Sequence, residues 1–129
     1  MLRGASGPQK RAALRAMGTV FMSITQGNFN GVGARYRPVP WANKKDGTPS
    51  NLKKSGLLSQ SFHLEVTDNF AKVSNPTVYA ATHQFGRDWG RGSPIPARPF
   101  FPVQNGKLTP AAEKLIMAAG ERVLRQNIK

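Results

Sequence analysis

Helical periodicity at the two ends of the chain places the strongest constraint on what this sequence can fold into. From Pro8 to about Gln26, apolar residues recur with the spacing of one helical face, and Gly27-Asn28 is a typical stop. Near the other end, Thr109 is expected to cap a helix that has Pro110 at its first position. The expected buried stripes are Ala13, Met17, Val20, Phe21 and Ile24 in the first helix and Ala112, Leu115, Ile116, Ala119 and Val123 in the last.

Between these helices, an alternating pattern predicts an antiparallel β-hairpin. Apolar and polar residues alternate from Phe62 to Val66 and again from Phe70 to Asn75, on either side of the turn signal Thr67-Asp68-Asn69. Asn75-Pro76-Thr77 is expected to start a brief helix from Val78 to Phe85, which Gly86 closes, and an extended proline-rich strand over 95–102 is expected to follow. We therefore predict an α+β fold in which the N-terminal and C-terminal helices pack on one face of an antiparallel sheet.

A chain of 129 residues without internal repeats predicts a single domain, 1–129. Whether residues 1–7 form an ordered part of it or a disordered tail is left open by the sequence. Glycine, proline, asparagine and lysine are abundant over 27–56, which predicts a long basic loop. We expect the apolar residues of this loop to attach it to the domain or to a neighbouring subunit; they are Phe29, Tyr36, Val39 and Trp41.

The charge of the chain is strongly positive and unevenly distributed. Nineteen Lys and Arg against six Asp and Glu give a net charge of +13, and the first acidic residue is Asp46, after eight basic ones. Such a block favours a polyanion or an acidic protein surface as partner, although a solvated basic face is the alternative. Lys10 and Arg11 lie in the first helical turn, where the helix dipole disfavours cations, so chance and a contact with an anion are both open there.

The residues needed for catalysis or for a metal site do not form a recognisable set. Cysteine is absent, His63 and His83 lack metal-ligand spacing, and the carboxylates are scattered. The glycine patterns Gly31-Val32-Gly33 and Gly90-Arg91-Gly92 do not link a strand to a helix, so they are weak candidates for phosphate binding. We predict no enzymatic activity, no cofactor and no metal. Apolar runs of about 18 residues and a secretory signal are both missing, which predicts no membrane contact and use in the cytoplasm.

Three segments, in order, resemble motifs of the phage virion morphogenesis family, the Mu-like tail-completion and head-tail joining proteins. Leu52 to Phe62 is similar to an L-x-x-S-G-x-L-x-x-S pattern, Val78 to Gly86 to Y-A-x-x-H-Q-F-G, and Ile95 to Phe100 to I-P-A-R-P-F. The resemblance extends from Leu52 to about Val123. The chain departs from it in the insertion Arg87 to Ser93 and in the basic start. The motif residues are Ser55, Gly56, Leu58, Tyr79, His83, Gln84, Phe85, Gly86, Pro96, Arg98 and Pro99.

This resemblance implies a structural virion protein, made in the host bacterial cytoplasm, that joins the tail to the head at the neck. It implies a homo-oligomeric ring, expected to be a hexamer, with connector, tail terminator or tail tube proteins as neighbours and packaged DNA as a further contact. The alternative is a small basic nucleic-acid-binding module. Candidate interface residues are Arg35, Arg37, Trp41, Lys44, Lys45, Arg87, Trp89, Arg91, Arg98, Phe100 and Phe101.

For two interface candidates and two motif residues, the sequence also suggests internal roles. Phe100 and Phe101 are candidates for insertion into a neighbour or into the domain's own sheet, because adjacent residues of an extended segment point to opposite faces. For His83 and Gln84, a hydrogen bond that caps a helix or anchors a sheet is favoured over a pH switch.

Overall fold

The computed structural model describes residues 5–29, 36–41, 57–77, 80–86 and 97–126. Within them it confirms the predicted α+β fold. Two long helices occupy the ends of the chain, and short antiparallel strands lie between them. In chain order the elements are α1 (Gly7–Gly27), α2 (Leu57–Gln60), β1 (His63–Val66), β2 (Ala71–Ser74), α3 (Ala80–Phe85), β3 (Val103–Gln104), β4 (Lys107–Leu108) and α4 (Pro110–Gln126).

Helix α1 begins at a capping box. The Ser6 hydroxyl accepts a hydrogen bond from the Gln9 backbone N–H (3.2 Å), and the Ser6 N–H donates to Gln9 Oε1 (2.8 Å). Two backbone donors that the helix leaves unpaired are thereby satisfied. The predicted helix is confirmed, and the serine three residues before a glutamine is the signal that fixes its start.

The predicted hairpin is confirmed as β1 and β2, which pair antiparallel with Leu64 opposite Val73. Helix α1 lies directly on this hairpin. The approach is close at Gly18, where a Cβ atom would lie only 2.6 Å from Leu64 Cδ1. A side chain at position 18 would therefore push the helix away from the sheet or displace Leu64.

Helix α4 packs along α1, and the two helices share an apolar cluster that includes Ile24, Ala112 and Ile116. The stripe predicted for α4 was wrong at Leu115, which is 41% exposed, whereas Leu124 is buried. The buried face has a spacing of four residues, from Ala112 to Ile116 to Gly120 to Leu124, and this spacing turns Leu115 outward.

The start of α4 differs from the predicted cap. The Thr109 hydroxyl is buried and makes no hydrogen bond with the described part of the chain. Its backbone forms the connections instead, since the Thr109 N–H donates to the Pro102 carbonyl and its carbonyl accepts from Glu113 N–H, both at 2.9 Å. The prediction that the Thr109 side chain caps the helix was therefore wrong.

The proline-rich strand was also wrong over its described part, 97–102, which joins neither sheet although most of it is buried. Prolines at 99 and 102 lack the N–H that a sheet would use.

A tight hairpin of β3 and β4 follows, and its turn residues Asn105 and Gly106 have φ of 55° and 77°. Asn-Gly is the strongest short signal for such a turn, and the sequence-based prediction overlooked it. No helix in the described ranges is long and apolar enough to cross a membrane.

Candidate functional site

The centre of the domain is a cluster of aromatic rings around Phe29. This side chain is completely buried, and its ring centroid lies 5.7 Å from Trp41, 5.9 Å from Phe62 and 5.5 Å from Phe100. The prediction that the loop after α1 attaches to the domain is confirmed for Phe29 and Trp41. The cluster joins residues from four separate parts of the chain, so it fixes the loop, the hairpin and the proline-rich segment relative to one another.

Phe100 and Phe101 both belong to this core. Phe100 is 1% exposed, and Phe101 is half-buried with its ring 4.8 Å from Phe100 and 5.6 Å from Phe21. Of the two alternatives that the sequence offered, the structure shows burial within the chain's own domain. As a surface for a neighbouring subunit, the Phe100 ring was wrongly predicted, because it is inaccessible.

Trp41 connects the loop to the proline-rich segment. Its indole Nε1–H donates to the Pro99 carbonyl (2.8 Å), and the Arg37 guanidinium lies 3.6 Å from the centre of its ring. Arg37 Nε also donates to the Asn28 carbonyl (2.7 Å). Burial lowers the pKa of Arg37, but a guanidinium stays protonated at neutral pH, so the cation persists above the ring. Trp41 is buried and Arg37 only half-exposed, so both have internal partners rather than a free outward face.

Trp41→Phe is expected to lower the free energy of unfolding by roughly 1–3 kcal/mol, because the buried Pro99 carbonyl loses its donor while most of the ring packing remains. Urea unfolding followed by circular dichroism measures this loss. Val39→Ala is the control, since Val39 lies in the same loop and is 38% exposed. A Trp41→Phe variant as stable as the control would show that the hydrogen bond contributes nothing.

Gln84 connects two of the motif-bearing segments. Its Oε1 accepts hydrogen bonds from the backbone N–H groups of Phe100 (3.0 Å) and Phe101 (3.1 Å). Beside it, the His83 carbonyl accepts from the Arg98 N–H (2.7 Å). Gln84 thus forms internal hydrogen bonds, but they hold the proline-rich segment and neither cap a helix nor anchor a sheet, as the sequence had favoured. We call this set of bonds the Gln84 lock, because it holds α3 against the proline-rich segment.

Asn28, at the end of α1, holds the same proline-rich segment from another side. The sequence did not reveal this role. Its Nδ2 donates to the Phe100 carbonyl (2.9 Å) across 72 positions of the chain, and the residue is fully buried. Asn75 acts similarly: its Nδ2 donates to the Leu58 carbonyl (2.8 Å) and its Oδ1 accepts from the Thr77 N–H (3.1 Å). The sequence indicates only a helix stop at Gly27-Asn28 and a helix start at Asn75-Pro76-Thr77, because both patterns are local.

His83 and Arg98 lie close enough to interact electrostatically. Burial lowers the pKa of His83 below its usual 6.5, and the positive charge of Arg98 lowers it further. Arg98 itself is buried, at 9% exposure. Burial and the positive charge of Arg98 therefore both favour the neutral imidazole of His83 at neutral pH.

The lowered pKa of His83 predicts how stability depends on pH. In the unfolded chain the imidazole takes up a proton near pH 6.5, whereas in the folded protein it does so only at lower pH. The unfolded state therefore binds more protons in this range, so the free energy of unfolding is expected to decrease as pH falls below about 6.5. His83→Gln should reduce this slope in urea titrations between pH 7 and 5. The control is His63→Gln, at an exposed position, which should keep the wild-type slope. Equal slopes in the two variants would contradict the prediction.

Phe85 differs from its motif neighbours because its side chain is 78% exposed. Helix α3 ends immediately after it, since Gly86 adopts φ 75° and its N–H donates to the Thr82 carbonyl (2.7 Å). This confirms Gly86 as the residue that closes the short helix. The motif thus combines an inward-facing Gln84 with an outward-facing Phe85.

The anion near the first turn of α1 belongs to the chain itself. Arg11 forms an ion pair with Asp68 of the β1–β2 turn, with Nη2 to Oδ1 at 2.7 Å and Nε to Oδ1 at 2.9 Å. Both side chains are about half exposed, so the pair adds little stability in water. An external anion is not needed to account for Arg11.

Several predicted residues lie outside the described residues, and their assignments stay predictions. The interface candidates among them are Arg35, Lys44, Lys45, Arg87, Trp89 and Arg91, and the motif residues are Ser55, Gly56, Tyr79 and Pro96. Among the described residues, no group of three or more His, Cys, Asp or Glu side chains could hold a metal ion.

Comparison with known protein families supports the resemblance. The profile of the phage virion morphogenesis family matches residues 2–124. No curated protein and no solved structure matches the chain significantly. The match extends beyond the motif-bearing half and includes the N-terminal helix and the aromatic loop. On this coverage, the chain belongs to the phage virion morphogenesis family.

Proposed function

We propose that this protein is a structural part of the head–tail joint of a tailed phage, where copies of it form a ring that joins the tail to the DNA-filled head. Membership of its family establishes a role in building the virion. Joining, ring formation and the neighbouring connector, terminator or tube proteins are the steps that we add. We also infer that this role is architectural and not catalytic.

The Gln84 lock is the observation that supports the proposal most directly. Two family motifs meet there, and the polar groups of His83, Gln84 and Phe100 bond to one another's segments inside the fold. In an enzyme, such groups would line an open cleft and point toward a substrate. Here these polar groups form hydrogen bonds within the fold instead. Such internal bonds suit a subunit that must present the same surface in every copy of a ring.

Phage lacking the gene provides the test. We expect it to produce filled heads and complete tails that stay unjoined in electron micrographs, with infectivity restored by the wild-type gene supplied in trans. As a control, a gene carrying Gln104→Ala should restore infectivity as well as the wild-type gene does, because that side chain is exposed and lies outside the lock. Infectious, joined particles from the deletion phage would overturn the joining role.

The net charge of +13 favours one alternative, a nucleic-acid-binding module. Exposed basic side chains on the described helices include Arg15, Lys114 and Arg122. If phosphate binding is the main activity, the affinity for duplex DNA should fall steeply and linearly with the logarithm of salt concentration. A weak, flat response would exclude this alternative.

A further inference from the structure

Phe85 is the most exposed of the large apolar side chains in the described residues. It is 78% exposed, compared with 46% for Phe70, 41% for Leu115 and 38% for Val39. A single exposed apolar residue is ordinary on a protein surface. Phe85 is distinctive because it projects from the last turn of a short helix that the Gln84 lock connects to the proline-rich segment. A rigid aromatic side chain loses little entropy when it inserts into a partner.

An unfilled apolar groove lies elsewhere on the same chain. It has a volume of about 430 Å³ and is formed where α1, β2 and α4 meet. Leu14, Phe21, Val73 and Ile116 line it, and Lys72 lies at β2 on the solvent-exposed side. A dry apolar cavity of roughly 150 Å³ is enough to hold a benzene molecule, so this groove has ample room for a phenyl ring.

We propose that Phe85 of one copy inserts into this groove of the next copy, and that this contact links neighbouring subunits. The inference rests on the proposed ring. A ring is built from one head-to-tail contact that repeats, which requires two unlike, complementary surfaces on every copy. Phe85 and the groove are such a pair: one is a projecting aromatic side chain, the other is a cavity lined by apolar side chains, and Phe85 does not line the groove of its own chain.

The charge of the chain adds a distinctive salt dependence. Copies with a net charge of +13 repel each other, and added salt screens that repulsion while leaving an apolar contact in place. Self-association through Phe85 should therefore strengthen as salt rises from low to moderate concentration. DNA binding by the same chain would weaken over this range.

Thiol cross-linking tests the contact, because the chain has no cysteine of its own. One preparation carries Ala81→Cys, an exposed position one helical turn before Phe85, and the other carries Lys72→Cys at the groove. A short bismaleimide should link the two preparations to each other when they are mixed. The matched control is the same mixture with Phe85→Ser added to the Ala81→Cys chain, for which we expect at least a tenfold lower yield.

Sedimentation velocity of the full chain at several salt concentrations separates this contact from the ring itself. Wild-type oligomers that dissociate in the Phe85→Ser variant support the proposal, provided that the two chains have the same free energy of unfolding at a protein concentration where both are monomeric. Wild-type oligomers that persist in that variant, without Phe85-dependent cross-links, overturn the Phe85 contact but leave the ring intact. A wild-type chain that is monomeric at all salt and protein concentrations, without cross-links, overturns both.

Discussion

Phe29→Ala is expected to lower the free energy of unfolding by about 3–5 kcal/mol, the range for removing a large aromatic side chain from a close-packed core. Phe29 is completely buried and contacts the rings of Trp41, Phe62 and Phe100, so three aromatic pairs are lost with it. Since small domains are stable by only about 5–15 kcal/mol, this variant should unfold at a much lower urea concentration.

Phe85→Ala is the matched control for Phe29→Ala, because it removes the same side chain from a position that is 78% exposed. We expect it to change the stability of the monomer by no more than about 0.5 kcal/mol. Both variants should be measured by urea unfolding at a protein concentration where the chain is monomeric. Similar losses in the two would mean that the aromatic cluster around Phe29 is not the core of the domain.

Gln84→Leu is expected to lower the free energy of unfolding by about 2–4 kcal/mol. Leucine has a similar size but no acceptor, so the N–H groups of Phe100 and Phe101 lose their shared oxygen at 3.0 and 3.1 Å. Each unsatisfied buried donor costs roughly 1–3 kcal/mol, reduced here because the site is only partly buried. The same variant should fail to restore infectivity to the deletion phage at raised temperature.

Two further variants isolate the acceptor from other effects at this site. Gln84→Glu retains an oxygen at the same reach and should recover most of the lost stability. Gln104→Leu makes the same chemical change at an exposed position and should be almost neutral. If Gln84→Leu proves as stable as Gln104→Leu, the Gln84 lock does not hold the proline-rich segment in place.

Together, these results would locate much of the stability of the domain in the aromatic cluster around Phe29 and in the contacts between its family motifs. His83, Gln84 and the segment from Arg98 to Phe101 form one internal connection, whereas Phe85 faces outward. In this chain, two of the family motifs therefore have a definite structural role, which is to hold α3 against the proline-rich segment. The motifs build a fixed scaffold, and the residues presented on that scaffold are free to suit a particular neighbour.

Local signals along the chain are sufficient to predict several elements of the fold. The helix from Gly7 to Gly27, the hairpin of β1 and β2, and the start of α4 at Pro110 all follow from periodicity and turn residues within a few positions. The β3–β4 hairpin belongs to the same class, since Asn105-Gly106 is a sufficient local signal that was overlooked.

Which side chains face inward depends instead on contacts between distant parts of the chain. Phe100 and Phe85 both lie in recognisable motifs, yet one is 1% and the other 78% exposed. Asn28 bonds to the Phe100 carbonyl 72 positions away, a pairing for which no local pattern exists. Periodicity identifies an apolar face, but the position of the neighbouring element selects which of its residues are covered. For this reason the motifs could be found in the sequence, whereas their division into an internal lock and an exposed phenylalanine depended on the folded chain.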